Sequence, residues 1–267
     1  MLPQWPGGVS GPEQIRRMVE HVKRKQVHNK AALLADLRQK IAAGEVGTAN
    51  PAALCFRSPL TIGVPAVDAL LPQGGLTLSA LHEVQAVHDG AALAFCAYLA
   101  ARRATTGGMV LWGMTGLGLY GPGLAGFGLA PERLLLVRGQ NEQELLWAVE
   151  EGLKCRSLAA VVAEVRRIDL KQSRRLQLVA EKHGVTAFLL RPPDSRLETS
   201  AAVTRWRLSS APTANGQFGF EIELLRCRGG GEGKWILEWN DATGAFDLAT
   251  PLASRTAAAA ERAKSRA

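Results

Sequence analysis

The sequence predicts an α/β fold: a mostly parallel central sheet flanked by helices, with antiparallel strands at its C-terminal end and a helix at its N-terminal end. Three observations carry this reading. Between residues 60 and 191, short apolar runs of strand length alternate with runs of helix length. Crossovers of that size imply parallel strands covered on both faces. From Ala201 the helical runs stop, and strand-like segments follow one another through turn residues, as antiparallel neighbours do. The chain is also long and apolar enough for a large core, at 267 residues and 47% hydrophobic content.

The elements follow in order. Residues 1–12 are rich in Pro and Gly and read as a disordered leader. Residues 13–46 form a helical segment in which Leu34, Leu37 and Ile41 fall on one narrow apolar stripe with Ala31. That stripe is too narrow for a core of its own, so the helix is expected to dock on a partner or on the main domain. Residues 47–59, with Pro51 and Pro59, are a linker, and residues 60–252 are the core. Within the core the expected strands are Leu78–Val84, Met109–Trp112, Leu134–Arg138, Leu158–Val165 and Thr186–Arg191. The expected helices are Ala91–Arg103, one opened by Asn141 with Glu144 as a capping box, and Asp169–His183 stopped by Gly184. Ala202–Leu208, Gly219–Cys227, Lys234–Trp239 and Ala245–Leu248 are the antiparallel strands, the last two joined as a hairpin through Asn240–Gly244. Residues 253–267 are a basic flexible tail.

Charge sits at the two ends. The formal net charge is +8, with eight basic residues against three acidic ones in Glu13–Lys40 and four against one from Arg255 onward. The middle is neutral, so attraction to nucleic acid or an acidic partner falls to the termini. Cys55, Cys96, Cys155 and Cys227 are scattered without CxxC spacing, which argues against zinc or disulfides and fits a reducing cytoplasm. No apolar run reaches the roughly 18–20 residues of a membrane span, and Met1–Ser10 has no secretory pattern.

The stretch Leu60–Ala100 has the strand, connection and helix between which nucleotide-binding proteins hold phosphates. That function needs a Gly-rich loop with free backbone N–H groups, a Lys for the phosphate oxygens and a Ser/Thr for Mg²⁺. Here the connection is Gln85, Ala86, Val87, His88, Asp89 and Gly90, followed by two alanines. It has one glycine, no Lys and no Ser/Thr, so no cofactor is expected. Asp89 reads as a helix cap. His82 and Glu83 are adjacent on a strand, point to opposite faces and read as structural. The glycines between Gly113 and Gly128 do not make a dinucleotide fingerprint, and neither HExxH nor GxSxG occurs. No metal-ligand spacing occurs either.

Arg166, Arg167, Lys171, Arg174 and Arg175 are the densest basic cluster of the middle, with the last three on one helical face. They are candidates for contact with DNA phosphates or an acidic partner, and Asp169 and Glu181 lie near enough to neutralise part of them. Trp206, Trp235 and Trp239 read as core or edge aromatics. In Arg205-Trp206-Arg207 the indole faces away from both guanidinium groups, which argues against base stacking.

From Thr61 to Leu208 the order of these signals resembles the RecA-like ATPase core. More closely, the chain resembles the ImuA family, RecA-related proteins of the bacterial damage-induced mutagenesis cassette. Ala32–Ile41, Leu71–Leu76, Ala80–Val84, Val110–Trp112, Leu119–Leu124, Pro131–Arg138, Leu145–Leu153, Ser173–Glu181 and Glu223–Gly230 carry the resemblance. It implies a role in error-prone translesion synthesis during the SOS response. The partners it implies are an ImuB-type polymerase homologue, an error-prone DNA polymerase III α-type subunit and RecA, with DNA contact as a further expectation. Glu164 stands where a Walker-B acid would end its strand. The strand Met109–Trp112 runs into Gly113-Met114-Thr115 without the acid that aligns water in RecA-like ATPases. The segment after Glu164 lies, in that framework, near the DNA-binding side. The expected protein is a cytoplasmic, nucleoid-associated scaffold with no enzymatic activity. Two other readings start from the same residues: a weak DNA-stimulated ATPase using Glu164, and an inhibitor of cell division resembling SulA.

Overall fold

Alternating apolar and amphipathic runs become nine strands and five α-helices among the described residues. A computed structural model describes residues 59–249, apart from positions 88, 89, 106, 117, 194, 196, 197, 215 and 216. The expected leader, the helical segment with Leu34, Leu37 and Ile41, and the basic tail therefore lie outside the described residues, as do His88 and Asp89. The strands are β1 (Leu81–Ala86), β2 (Met109–Met114), β3 (Leu134–Arg138), β4 (Leu158–Glu164), β5 (Thr186–Arg191), β6 (Thr204–Ala211), β7 (Gly219–Cys227), β8 (Gly233–Asn240) and β9 (Ala245–Leu248). The helices are α1 (Pro65–Asp68), α2 (Ala91–Ala104), α3 (Gly121–Gly126), α4 (Glu142–Leu153) and α5 (Leu170–His183).

All nine strands form one sheet in the order β3-β2-β4-β5-β1-β6-β7-β8-β9. The six from β3 to β6 are parallel, and β6 to β9 pair antiparallel. The predicted sheet, mostly parallel with antiparallel C-terminal strands and flanked by helices, is the observed one. Strand β1 starts at Leu81 rather than Leu78. Leu76 is drawn into a bridge with Leu60, and Ser79 takes a left-handed φ of 56°, which ends the extended run.

Alternation along the strands builds two layers. Val110, Trp112, Val162, Phe188 and Trp206 join the core beneath α2. On the opposite face, Gly113 lets Leu145 of α4 approach so closely that an added Cβ would lie 2.6 Å from its Cδ1. α4 lies on β2, β3 and β4, and α5 lies on β1 and β5. α2 is buried almost all round, as befits a helix that is apolar on every face up to Ala101. Its Phe95 and Tyr98 reach the antiparallel half. Phe246 stands 4.9 Å from Tyr98, 5.0 Å from Phe220 and 5.1 Å from Trp239, in edge-on geometry. Trp206 and Trp239 are core aromatics and Trp235 packs half-buried against the core, within the expected core-or-edge reading.

The helix ends follow the sequence signals. The Asn141 side chain accepts from the Glu144 N–H at 2.9 Å, while Glu144 accepts from Gln140 rather than from Asn141. Asp169 and Gln172 make a reciprocal capping box at 2.6 and 3.0 Å. Gly184 closes α5 with φ 80°.

His82 is fully buried at the centre of the sheet. Its Nε2 lies 2.9 Å from the Thr77 carbonyl, which only accepts, so Nε2 carries the proton. Nδ1 then accepts from the Thr204 hydroxyl at 2.8 Å, and that oxygen accepts from the Trp206 indole at 2.8 Å. Burial pushes the His82 pKa from 6.5 down to about 4, with the Thr77 carbonyl acting in the other direction. The unfolded chain therefore takes up a proton between pH 6.5 and 4 that the folded chain refuses. Stability present above pH 6.5 should fall by about 3 kcal/mol as the pH drops to 4. Urea unfolding at a series of pH values measures this, and His82→Gln should flatten the dependence.

Candidate functional site

The C-terminal ends of the parallel strands gather the residues singled out in the sequence. β1 runs through Gln85 and Ala86, which pair with Arg207 and Leu208 of β6. The next N–H, of Val87, donates to the Leu208 carbonyl at 2.8 Å. The sheet thus consumes the beginning of the connection. Gly90 precedes α2 with φ 67° and no side-chain cap. The two residues after that glycine, Ala91 and Ala92, are both buried, at 4% and 1% exposure.

Glu164 ends β4 on the same side of the sheet as α2. Its Oε1 accepts from the Trp112 indole at 3.2 Å. The neighbouring Cys96 thiol is pushed far above its ordinary range by burial and by the Glu164 charge. The carboxylate is therefore held between a buried Trp and the helix wall.

The turn after β4 is rigid. Glu142 at the start of α4 accepts from the backbone N–H groups of Arg166 and Arg167, and Arg191 donates to the Arg166 carbonyl at 2.8 Å. Arg166, Arg167, Lys171, Arg174 and Arg175 are all exposed along this turn and α5. Asp169 also closes the capping box and Glu181 also accepts from Gln177, while the acid that pairs with Arg175 is one the sequence reading did not name, Glu150 of α4 at 2.7 Å. A sequence neighbour is not the nearest charge once two helices pack together.

Sequence reasoning missed the buried ion cluster under this turn. Glu83 and Arg191 are 1% and 2% exposed. Glu83 meets Arg205 at 2.8 Å and Arg191 at 3.7 Å. Burial lowers the Arg191 pKa, Glu83 works against that, and Arg205 adds to it. Arg205 also donates to the Glu198 carbonyl and the Ser200 hydroxyl, while Arg226 and Arg228 donate to the carbonyls of Ser200 and Ala201. The arginines around Trp206 are thus clamps on the segment between β5 and β6. The alternation of β1 already sent His82 and Glu83 to opposite faces, as expected, but only the strand order names Glu83's partners.

No protein-family model matches the chain. Two curated relatives, each named Protein ImuA and each from a strain of Caulobacter vibrioides, are 36% identical over 242 residues, covering 81% of this chain and 97% of the relative. The chain belongs to the ImuA family. Membership ties it to the damage-induced mutagenesis cassette. Among the described residues of this ImuA-family chain, no helix is long and apolar enough to cross a membrane. No group of His, Cys, Asp and Glu among them is placed to hold a metal.

The Glu83 cluster yields a direct expectation. Glu83→Gln keeps the shape but removes the buried carboxylate that Arg205 and Arg191 face, and should destabilise the fold by about 3 kcal/mol. Equilibrium urea denaturation at neutral pH measures the loss.

Proposed function

We propose that this ImuA-family protein is a non-catalytic accessory factor of error-prone translesion synthesis in the SOS response, working in the cytoplasm and at the nucleoid. The observation that carries the reading is the connection between β1 and α2. A phosphate loop presents several unengaged N–H groups and a Lys to the nucleotide. Here the Val87 N–H is taken by Leu208, and buried alanines stand in the two positions that would bear the Lys and the Mg²⁺ ligand. Charge developing on a transferring phosphoryl group would lack its main compensation. Glu164, bound to the Trp112 indole, has the place of a Walker-B acid and no loop to work with. The site reads as a degenerate nucleotide site inside a retained RecA-like frame.

Such a protein acts through contacts. The partner classes are those of the family resemblance: an ImuB-type polymerase homologue, an error-prone polymerase III α-type subunit, RecA and DNA. The surfaces available for them are the basic termini, the stripe of Leu34, Leu37 and Ile41, and the basic face from Arg166 to Arg175.

Titration calorimetry with Mg²⁺–ATP should give no heat of binding at millimolar nucleotide, and micromolar binding would overturn the reading. Removal of residues 1–43 should leave a soluble core that has lost at least one of the named partners in pull-down with purified proteins. Full retention of every partner would remove the N-terminal stripe from the account.

A further inference from the structure

Helix α5 is turned partly inside out. It buries Ser173 and Gln177, at 0% and 5% exposure, while Leu170 and Leu178 stand 50% and 57% exposed. The buried polar pair is fully used. Gln177 accepts from the Leu81 N–H at 2.7 Å and donates to Glu181 at 2.7 Å. The Ser173 hydroxyl accepts from the Ala201 N–H at 3.1 Å and donates to the Leu170 carbonyl at 3.1 Å. These bonds lock the rotation of the helix about its axis. Leu170, Arg174 and Leu178, spaced four apart, therefore form one outward ridge, its leucines about 12 Å apart along the helix. Lys171, Arg174 and Lys182 are exposed around Leu178, and Arg175 is paired with Glu150.

We propose that this ridge is the docking surface for an acidic amphipathic helix of another protein. The proposal deepens the partner half of the preceding reading and gives its basic face a specific ligand chemistry. Charge complementarity selects the occupant. The chain's own segments outside the described residues are basic, with eight basic residues against three acidic in Glu13–Lys40 and four against one from Arg255, so this face repels them. The leucines select protein over nucleic acid. Phosphates gain nothing from burying two leucines. A partner helix laid along the ridge covers both leucines with its apolar stripe and sets its carboxylates against Lys171, Arg174 and Lys182.

The test uses the full chain and fluorescence anisotropy. The probe is a labelled synthetic helix of roughly 18 residues, with leucines at helical spacing and glutamate elsewhere. Wild-type protein should bind it. Leu170→Ser with Leu178→Ser should weaken binding at least about tenfold, because two half-exposed leucines lose their burial. Melting temperature should fall by no more than about a few degrees, since roughly half of each side chain is already in water. Lys171→Glu with Arg174→Glu should weaken binding comparably, and the same peptide with lysine for glutamate should not bind. The idea is overturned if the leucine variant binds like wild type, or if wild type ignores the peptide. It is also overturned if the charge-reversed protein loses only a labelled oligothymidine, which would assign the face to DNA, or if the leucine variant merely abolishes self-association in sedimentation. ATP calorimetry bears on the accessory reading and leaves this surface untouched, so the two fail separately.

Discussion

Strand β1 lies in the middle of the sheet, between β5 and β6, and is covered on both faces. It nevertheless carries two adjacent polar residues, His82 and Glu83. Strand alternation sends one to each face, and neither can reach water. Each must therefore be satisfied by the protein. His82 is completed by Thr77 and by the chain of Thr204 and Trp206. Glu83 bonds Arg205 through Oε2 at 2.8 Å and faces the Arg191 guanidinium with Oε1 at 3.7 Å. Two strands and two loops are positioned by that requirement. A slip of one residue in the register of β1 would exchange the two side chains and leave a carboxylate among the aromatics below α2.

The same economy of polar contacts explains why the site region looks rigid rather than open. Arg191 faces Glu83 and also braces the turn after β4, and Glu142 holds the other side of that turn. Arg205, Arg226 and Arg228 clamp the chain between β5 and β6. The Val87 N–H, next along the chain, is engaged by the Leu208 carbonyl, so the pairing of β1 with β6 runs two residues past Gln85.

Helix α5 shows how local signals and tertiary demands divide the work. Its capping box and Gly184 stop are written in adjacent residues, because a cap involves only neighbours along the chain. Its rotation is not. A hydrophobic stripe alone would bring more of its leucines inward. The unpaired N–H at the start of β1 and the Ala201 N–H demand partners, and Gln177 and Ser173 supply them. The leucines left outside are the remainder of that arrangement.

Much of the architecture was legible from the sequence. Leu134–Arg138, Thr186–Arg191, Gly219–Cys227 and Ala245–Leu248 are strands with the expected bounds, since apolar runs flanked by turn residues leave little choice. The absence of Lys and Ser/Thr after Gly90 was equally legible, because it is a matter of residue identity. The tertiary structure alone decided which charges meet. Glu150 reaches Arg175 across 25 positions and Glu83 reaches Arg205 across 122. Such pairs depend on strand order and helix rotation, which follow from burying the whole core at once and from pairing charges within it, and no short stretch of the chain encodes them.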